Sequence, residues 1–573
     1  MKGINFLQFM KNPFCFLLSP LVYILLFVIA LSALIPMLGH PRYSENDDIA
    51  ILADIKAGFR VSFMSSLLGA FFSLLYQNVS DAIPWYSIFI YIFLGINLFI
   101  LLRILNILNR LNFTEYLVIS AIISFFYIRS LLTIGYTETA IMCGGTGILG
   151  LFYNFYQNNA NWRNALLYGL LLSFCFLWRI QALLFVLVFF FPVLLIKIKK
   201  YWIYCIIFLS PCIILYAANA LYTHSKLTPE QRYFDEFNFY RGKIHDTNIY
   251  ELNKNNKKLL ENVKWTENDF LMFKRWLFLD ENKYNSDILK RLLNSPDLIK
   301  KSAYNPCNLR YIFRSAKQII IVNWKLIVIP IFLCILIFLY SNKKKILLCT
   351  LFFIYIMMDA SVLASILKFP DRLASPTFFV ISSIYAIVLL GSNPSESFIQ
   401  KPMWQELRKW IVIIFCILLT LSIIIAIIRI DRLNKFKEEI VHSEIKKFED
   451  SINFDSVLLC HPWFFTNYTY INPLREYTEK AIVIPTGWAT FSPRFYDVLQ
   501  KIGLKRGSDV FPYIVKSENA FIIVPEDMKT IINTYIKQNY NIETELKIIN
   551  TFKNISLSSY DLAMRKISEK PKK

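Results

Sequence analysis

Long apolar runs separated by short polar or basic stretches dominate the chain. Runs long enough to cross about 30 Å of hydrocarbon recur near residues 13–38, 84–104, 113–133, 139–156, 163–178, 180–196, 201–222, 318–340, 346–367, 375–391 and 410–429. They predict about eleven membrane-spanning helices, some short or tilted. The division between 163–178 and 180–196 rests on Trp178-Arg179-Ile180-Gln181 alone, and a single helix there would invert every later segment. Loop charge decides for the break. Lys2 with Lys11, Arg103 with Arg110, Arg163, the Lys197/Lys199/Lys200 cluster, Lys343-Lys344-Lys345, and Lys401 with Arg408 and Lys409 fall on alternate loops only with the break made, which assigns these loops to the cytoplasm. The first run is too long for a signal-peptide core and ends in His40-Pro41 without a cleavage pattern, so it is expected to stay as a helix.

The opposite face then receives the loop holding Asp47-Asp48, the turn from Arg129 to Glu138, Arg179, a polar tyrosine-rich segment at 223–316, the Lys368-to-Arg372 turn and everything after 430. In the loop at 39–83, Val61–Tyr76 is apolar but short, which reads as an interfacial or re-entrant helix. Helical periodicity through Asp269–Trp276 and Ser286–Leu293 predicts a small folded cap at 223–316. After 430 the composition becomes that of a soluble domain. Apolar runs at 455–459, 481–485 and 520–525 read as buried strands, and Ser492-Pro493 and Gly503 as a helix start and stop. The expected architecture is a polytopic α-helical membrane domain over 1–430 and a small C-terminal α/β or α+β domain over 431–573.

Composition agrees: of 573 residues 55% are hydrophobic and 18% charged, where soluble domains carry about 25% charged residues. The formal charge of +21 lies largely in the loop clusters, so the basicity is read as membrane topology and nucleic acid is not an expected partner. Eight of the cysteines fall in predicted spans. Cys307 and Cys460 face water, either as one disulfide or as two free thiols. The five histidines form no pair with metal-ligand spacing.

The acidic pair carries the first candidate chemistry. Asp47 or Asp48, where a helix leaves the membrane, can act as general base on an acceptor hydroxyl or hold a divalent cation such as Mg or Mn beside a phosphate leaving group. A plain solvated acidic loop is the other reading. Arg179, Arg241 and Arg372, with Arg129 behind them, suit phosphate because guanidinium binds it bidentately and stays charged; each alone also fits an arginine snorkelling to headgroups. Asp359 sits inside a predicted span, where it lines a cavity near Arg372 or pairs with Lys325 structurally. Phe237-Asn238-Phe239-Tyr240-Arg241 with Asp246, and Trp265-Thr266-Glu267-Asn268-Asp269, mix aromatic, amide and acidic groups as sugar-binding surfaces do, though a tyrosine-rich cap needs such aromatics for packing too.

The layout of a first helix, an outer acidic loop, an interfacial helix, many spans and a large outer C-terminal domain resembles the GT-C membrane glycosyltransferases. Ser44-Glu45-Asn46-Asp47-Asp48, Ile83-Pro84-Trp85-Tyr86, the Phe237-to-Asp246 and Trp265-to-Asp269 stretches, and Gly487-Trp488-Ala489-Thr490-Phe491-Ser492-Pro493 look like bacterial multi-spanning proteins from polysaccharide loci. The resemblance implies transfer of a sugar from a polyprenyl-phosphate donor to a glycan or lipid-linked acceptor at the outer face of the bacterial inner membrane, with Asp47 or Asp48 at the position of the acidic catalytic residue. An O-antigen or capsule polymerase or ligase would use the same class of carrier, as in lipopolysaccharide assembly. A transporter or flippase would want ionisable groups near the midplane, and only Asp359 offers one.

Overall fold

The computed structural model describes residues 20–109, 113–158, 161–195, 198–246, 257–295, 309–341, 343–366, 369–392, 402–475, 481–553 and 561–570. The first half forms helices α1 (Pro20–Leu38), α2 (Asn46–Lys56), α3 (Ser66–Asn78), α4 (Trp85–Leu108), α5 (Phe113–Leu132), α6 (Tyr136–Tyr156), α7 (Trp162–Trp178), α8 (Ile180–Phe189), α9 (Phe191–Leu195) and α10 (Ile198–Lys226). Two short strands, β1 (Arg42–Tyr43) and β2 (Thr133–Ile134), pair in parallel. Among the described residues six helices are long and apolar enough to cross a membrane: Pro20–Leu38, Trp85–Leu108, Ile198–Lys226, Ile312–Phe338, Lys343–Ser365 and Asp371–Leu390. Three shorter apolar helices, Ile119–Leu132, Trp162–Trp178 and Ile180–Phe189, stand beside them.

Helix α6 shows why length and hydropathy alone miss part of such a bundle. It is buried along almost its whole length, so it meets other helices and can carry the polar, small Gly144-Gly145-Thr146-Gly147 run. Those small residues set the packing distance: a Cβ on Gly147 would lie 2.7 Å from the Tyr168 carbonyl oxygen of α7, so only glycine permits the approach. The outward faces of α1 and α10 instead expose Leu26, Phe27, Ile29, Ile203, Ile206 and Ile213. That arrangement suits hydrocarbon as solvent. The predicted break at Arg179 is present: its extended backbone (φ −162°, ψ 114°) ends α7 and begins α8.

The segment after α10 folds into α11 (Pro229–His245), α12 (Lys257–Asn262), α13 (Glu267–Lys274) and α14 (Ser286–Asn294). Helices α15 (Leu309–Tyr340), α16 (Lys343–Ile366) and α17 (Asp371–Leu390) follow, then the 49-residue α18 (Pro402–Asp450). Beyond it lie β3 (Val457–Cys460), β4 (Ile482–Ile484), α19 (Pro493–Lys501), α20 (Val510–Lys516), β5 (Ala520–Pro525), α21 (Met528–Tyr540), β6 (Thr544–Phe552) and β7 (Leu562–Glu569). The sheet runs β4-β3-β5-β7-β6, with β4, β3 and β5 parallel and β7 antiparallel to both neighbours. The three expected strand runs are all in it. Ser492 caps α19 through its hydroxyl, and Gly503 adopts φ +77° two residues beyond its end.

Two expectations change. The acidic pair lies in the first turn of α2, where the helix dipole favours carboxylates, and not in an open loop. Segment 229–295 does not form a cap with its own core: Phe237, Phe273 and Leu289 share one apolar cluster with Val457, Phe491, Ile522 and Ile567 of the sheet region. Cys460 is buried at the end of β3, and Cys307 lies outside the described residues.

Candidate functional site

The ends of α1, α5 and α7 and the start of α17 meet at one end of the helical bundle, and β1 and β2 fix how. Ser44 N–H donates to the Ile134 carbonyl (2.6 Å) and Tyr43 N–H to that of Thr469 (2.9 Å), so α2 starts directly against the first turn of α6. Gly135 makes this possible, since a Cβ there would overlap the Ser44 hydroxyl. Asp48 points into this junction and is fully buried. Its Oδ1 accepts from the Tyr86 hydroxyl (2.8 Å) and the Tyr136 N–H (3.1 Å), and its Oδ2 from the Ser44 hydroxyl (3.4 Å). Burial pushes its carboxyl up to about 7, against the pull of the Tyr86 and Tyr136 hydrogen bonds.

Asp47 turns the other way. Its side chain is 19% exposed, and Oδ2 lies 3.5 Å from Arg372 Nη1 at the start of α17. The same nitrogen pairs tightly with Glu45 Oε2. Burial raises the Asp47 carboxyl above its ordinary range, while Arg179 and Arg241 draw it down. Arg179 is held by the Tyr136 hydroxyl (2.9 Å) and by Thr137, with its guanidinium 5.1 Å over the Tyr136 ring. Arg241 is buried beside Trp276 (4.8 Å) and tied to Asn238 (2.7 Å) and Asp246 (3.3 Å); burial lowers its own proton affinity, with Asp246 opposing. Three arginines distant in sequence therefore share the field of one carboxylate. Guanidinium resists deprotonation under such desolvation better than ammonium.

The remaining expectations fare differently. Asp269 and Trp265 do not join this cluster: Asp269 accepts from Thr266 in a capping box and from Lys283 (2.9 Å), and Trp265 donates to the Lys283 carbonyl (2.8 Å) inside the apolar core. Their polar atoms are consumed by folding, so they are structural. Asp359 lies beside Tyr355 in α16, and among the described residues no ion pair joins it to Lys325, whose ammonium sits over the Trp324 ring. Arg129 pairs with Asp371 next to Arg372. Sequence alone gives no chemical role to Glu45, Tyr86, Tyr136 or Trp488; Glu45, Tyr86 and Trp488 enter it only within the motifs of the resemblance.

Among the described residues no three His, Cys, Asp or Glu side chains gather as a metal-binding group. Glu45 and Asp47 both face the Arg372 guanidinium, and Asp48 spends its oxygens on three donors. Comparison with protein-family models, curated proteins and solved structures finds no match for the chain.

Proposed function

We propose that this protein is a membrane glycosyltransferase of the GT-C type, transferring a sugar from a polyprenyl-phosphate donor to a glycan or lipid-linked acceptor. The observation that carries the reading is the partly exposed Asp47 carboxylate 3.5 Å from Arg372 and within the field of Arg179 and Arg241. In this reading Asp47 takes the proton of an acceptor hydroxyl as its oxygen attacks the anomeric carbon. The bond from that carbon to the phosphate oxygen breaks, and the arginines stabilise the charge gathering on the departing phosphate. A single displacement of this kind inverts the anomeric centre. Asp48 holds the start of α2 and does not meet substrate.

The reading includes about eleven spans, a cytoplasmic N-terminus, and a bacterial inner membrane whose outer face carries the site and the domain from 431 to 573. Transfer is tested with purified protein, a polyprenyl-phosphate sugar and an extract of lipid-linked acceptors. Asp47→Asn keeps shape and removes the base, and should lower the rate by about a hundredfold or more. A full rate in that variant rules out the proposed base.

A further inference from the structure

We infer that an apolar cavity toward the end of the bundle away from Asp47 is a binding site for an anionic phospholipid of the surrounding bilayer, with an acyl chain in the cavity and the phosphate against Lys345. The inference does not depend on the reading of Asp47 as a base. Arg372 at the start of α17 stands beside Asp47, whereas Tyr385, thirteen positions further along the same helix, lines the cavity. At 1.5 Å per residue the two sites are about 20 Å apart.

The cavity measures about 250 Å³ and lies where α6, α9, α16 and α17 meet, with Phe152, Leu348, Phe352, Tyr355, Ile384 and Tyr385 in its wall. The two tyrosine hydroxyls are spent on backbone carbonyls: Tyr355 donates to Val188 of α8 (2.7 Å) and Tyr385 to Cys349 of α16 (2.6 Å). Their rings therefore serve the cavity as hydrocarbon. Apolar cavities of about 150 Å³ already stay dry and take up small hydrocarbons, so this one suits part of an acyl chain better than water. Leu348 and Leu351 at its edge are 48% and 55% exposed, which opens it on the flank of α16, a helix long and apolar enough to cross a membrane. A bilayer presents acyl chains at such an opening.

A polar rim marks the headgroup end. The ends of α6 and α17 and the start of α16 converge there: the Tyr156 hydroxyl donates to the Gly391 carbonyl (3.2 Å), and Lys345 Nζ donates to the Ser392 hydroxyl (3.3 Å) with its ammonium 5.9 Å over the Tyr156 ring. The Tyr156 ring lies 5.9 Å from that of Phe152 in the cavity wall, and Leu348 follows Lys345 by about one helical turn. Lys345 is thus held at the mouth of the cavity, and Lys343 and Lys344 beside it are exposed. An ammonium fixed at the end of an apolar slot complements a negative headgroup above an acyl chain, and gives a net-neutral headgroup little.

The test titrates the full chain in detergent with phosphatidylglycerol and with phosphatidylcholine of the same acyl chains, and reads bound lipid by native mass spectrometry. Wild type should bind phosphatidylglycerol the more tightly. One lysine beside an anionic headgroup is worth about fivefold in affinity, so Lys345→Gln should weaken phosphatidylglycerol by that factor and leave phosphatidylcholine unchanged. Leu348→Trp, which fills the mouth of the cavity, should weaken both lipids. The inference fails if wild type shows no preference, or if either variant binds phosphatidylglycerol as tightly as wild type does. It fails equally if wild type is a dimer that Leu348→Trp dissociates, since the cavity then belongs to a second copy of the chain. Should Leu348→Trp not fold, Leu351→Trp at the same edge is held to the same expectations.

Discussion

Two adjacent carboxylates at the start of α2 meet different surroundings because a helix turns about 100° per residue. Asp47 faces the arginines, and Asp48 faces the junction of α2 with α4 and α6. The Asp48 carboxyl, raised to about 7 by burial, retains a proton in the folded chain at pH values where the unfolded chain has released it. Stability therefore falls as pH rises from the ordinary carboxylate range, near 3.8, to about 7, by an amount on the order of a few kcal/mol. Asn keeps an oxygen for Tyr86 and Tyr136 and can donate to Ser44. Asp48→Asn should accordingly remove this component, gaining on wild type between pH 4 and pH 8 in unfolding titrations. Asp48→Ala leaves the Tyr86 hydroxyl and Tyr136 N–H without an acceptor and should be less stable than Asp48→Asn by about 1–3 kcal/mol at any pH. From residues alone the acidic pair and the three arginines were legible, because charge beside apolar runs is conspicuous. The division of labour within the pair was not, since it depends on which side of α2 packs. Asp269 and Trp265 misled because a helix cap and a buried indole use the same residue types as a sugar site.

Among the elements, the apolar runs and the Arg179 break could be read directly, because hydrocarbon demands long apolar stretches and a lone arginine interrupts one. Helix α2 could not be read as easily: its Asn46-Asp47-Asp48 start looks like a loop until Ile51 and Ile55, both buried, are seen to share a face. The joint core of segment 229–295 and the sheet was equally hidden, since apolar periodicity says that a face is covered but not by what. One contact between elements offers a direct check. Asn434 of α18, almost fully buried, donates its amide to both the His40 and Leu132 carbonyls (3.0 and 3.1 Å), tying the ends of α1 and α5 to the helix that leads into the sheet. Asn434→Ala leaves those carbonyls without this donor and should cost about 1–3 kcal/mol, read as a lower unfolding midpoint. No change in the midpoint would mean that water or a shifted backbone replaces the amide.

For the whole molecule, the sequence assigned Asp47, the turn from Arg129 to Glu138, Arg179, Arg372 and the C-terminal region to one face from loop charges alone, and the structure brings these segments into contact: Asp48 with Tyr136, Arg179 with Tyr136, Arg372 with Glu45, Tyr43 with Thr469. Which side of a membrane that face occupies is a separate question. A reporter active only outside the cytoplasm should work when fused after Lys573 and fail at Lys343–Lys345; the reverse pattern would invert the topology while keeping the cluster. Helix α18 adds a mechanical consequence. After Pro402 it contains neither proline nor glycine, the residues at which helices bend, so a stiff strut of about 70 Å at 1.5 Å per residue passes from its apolar half into the sheet, where Val441 and Phe448 are buried. A strut without a hinge transmits tilt. On the eleven-span reading, a thinner bilayer tilts the apolar half to match the hydrocarbon, and the far end carries that tilt to the apolar cluster around Val441 and Phe448. On the proposed function, sugar transfer in proteoliposomes should therefore peak at one acyl-chain length and decline on both sides, as though the bilayer itself were an effector; a rate indifferent to chain length would show that the strut yields.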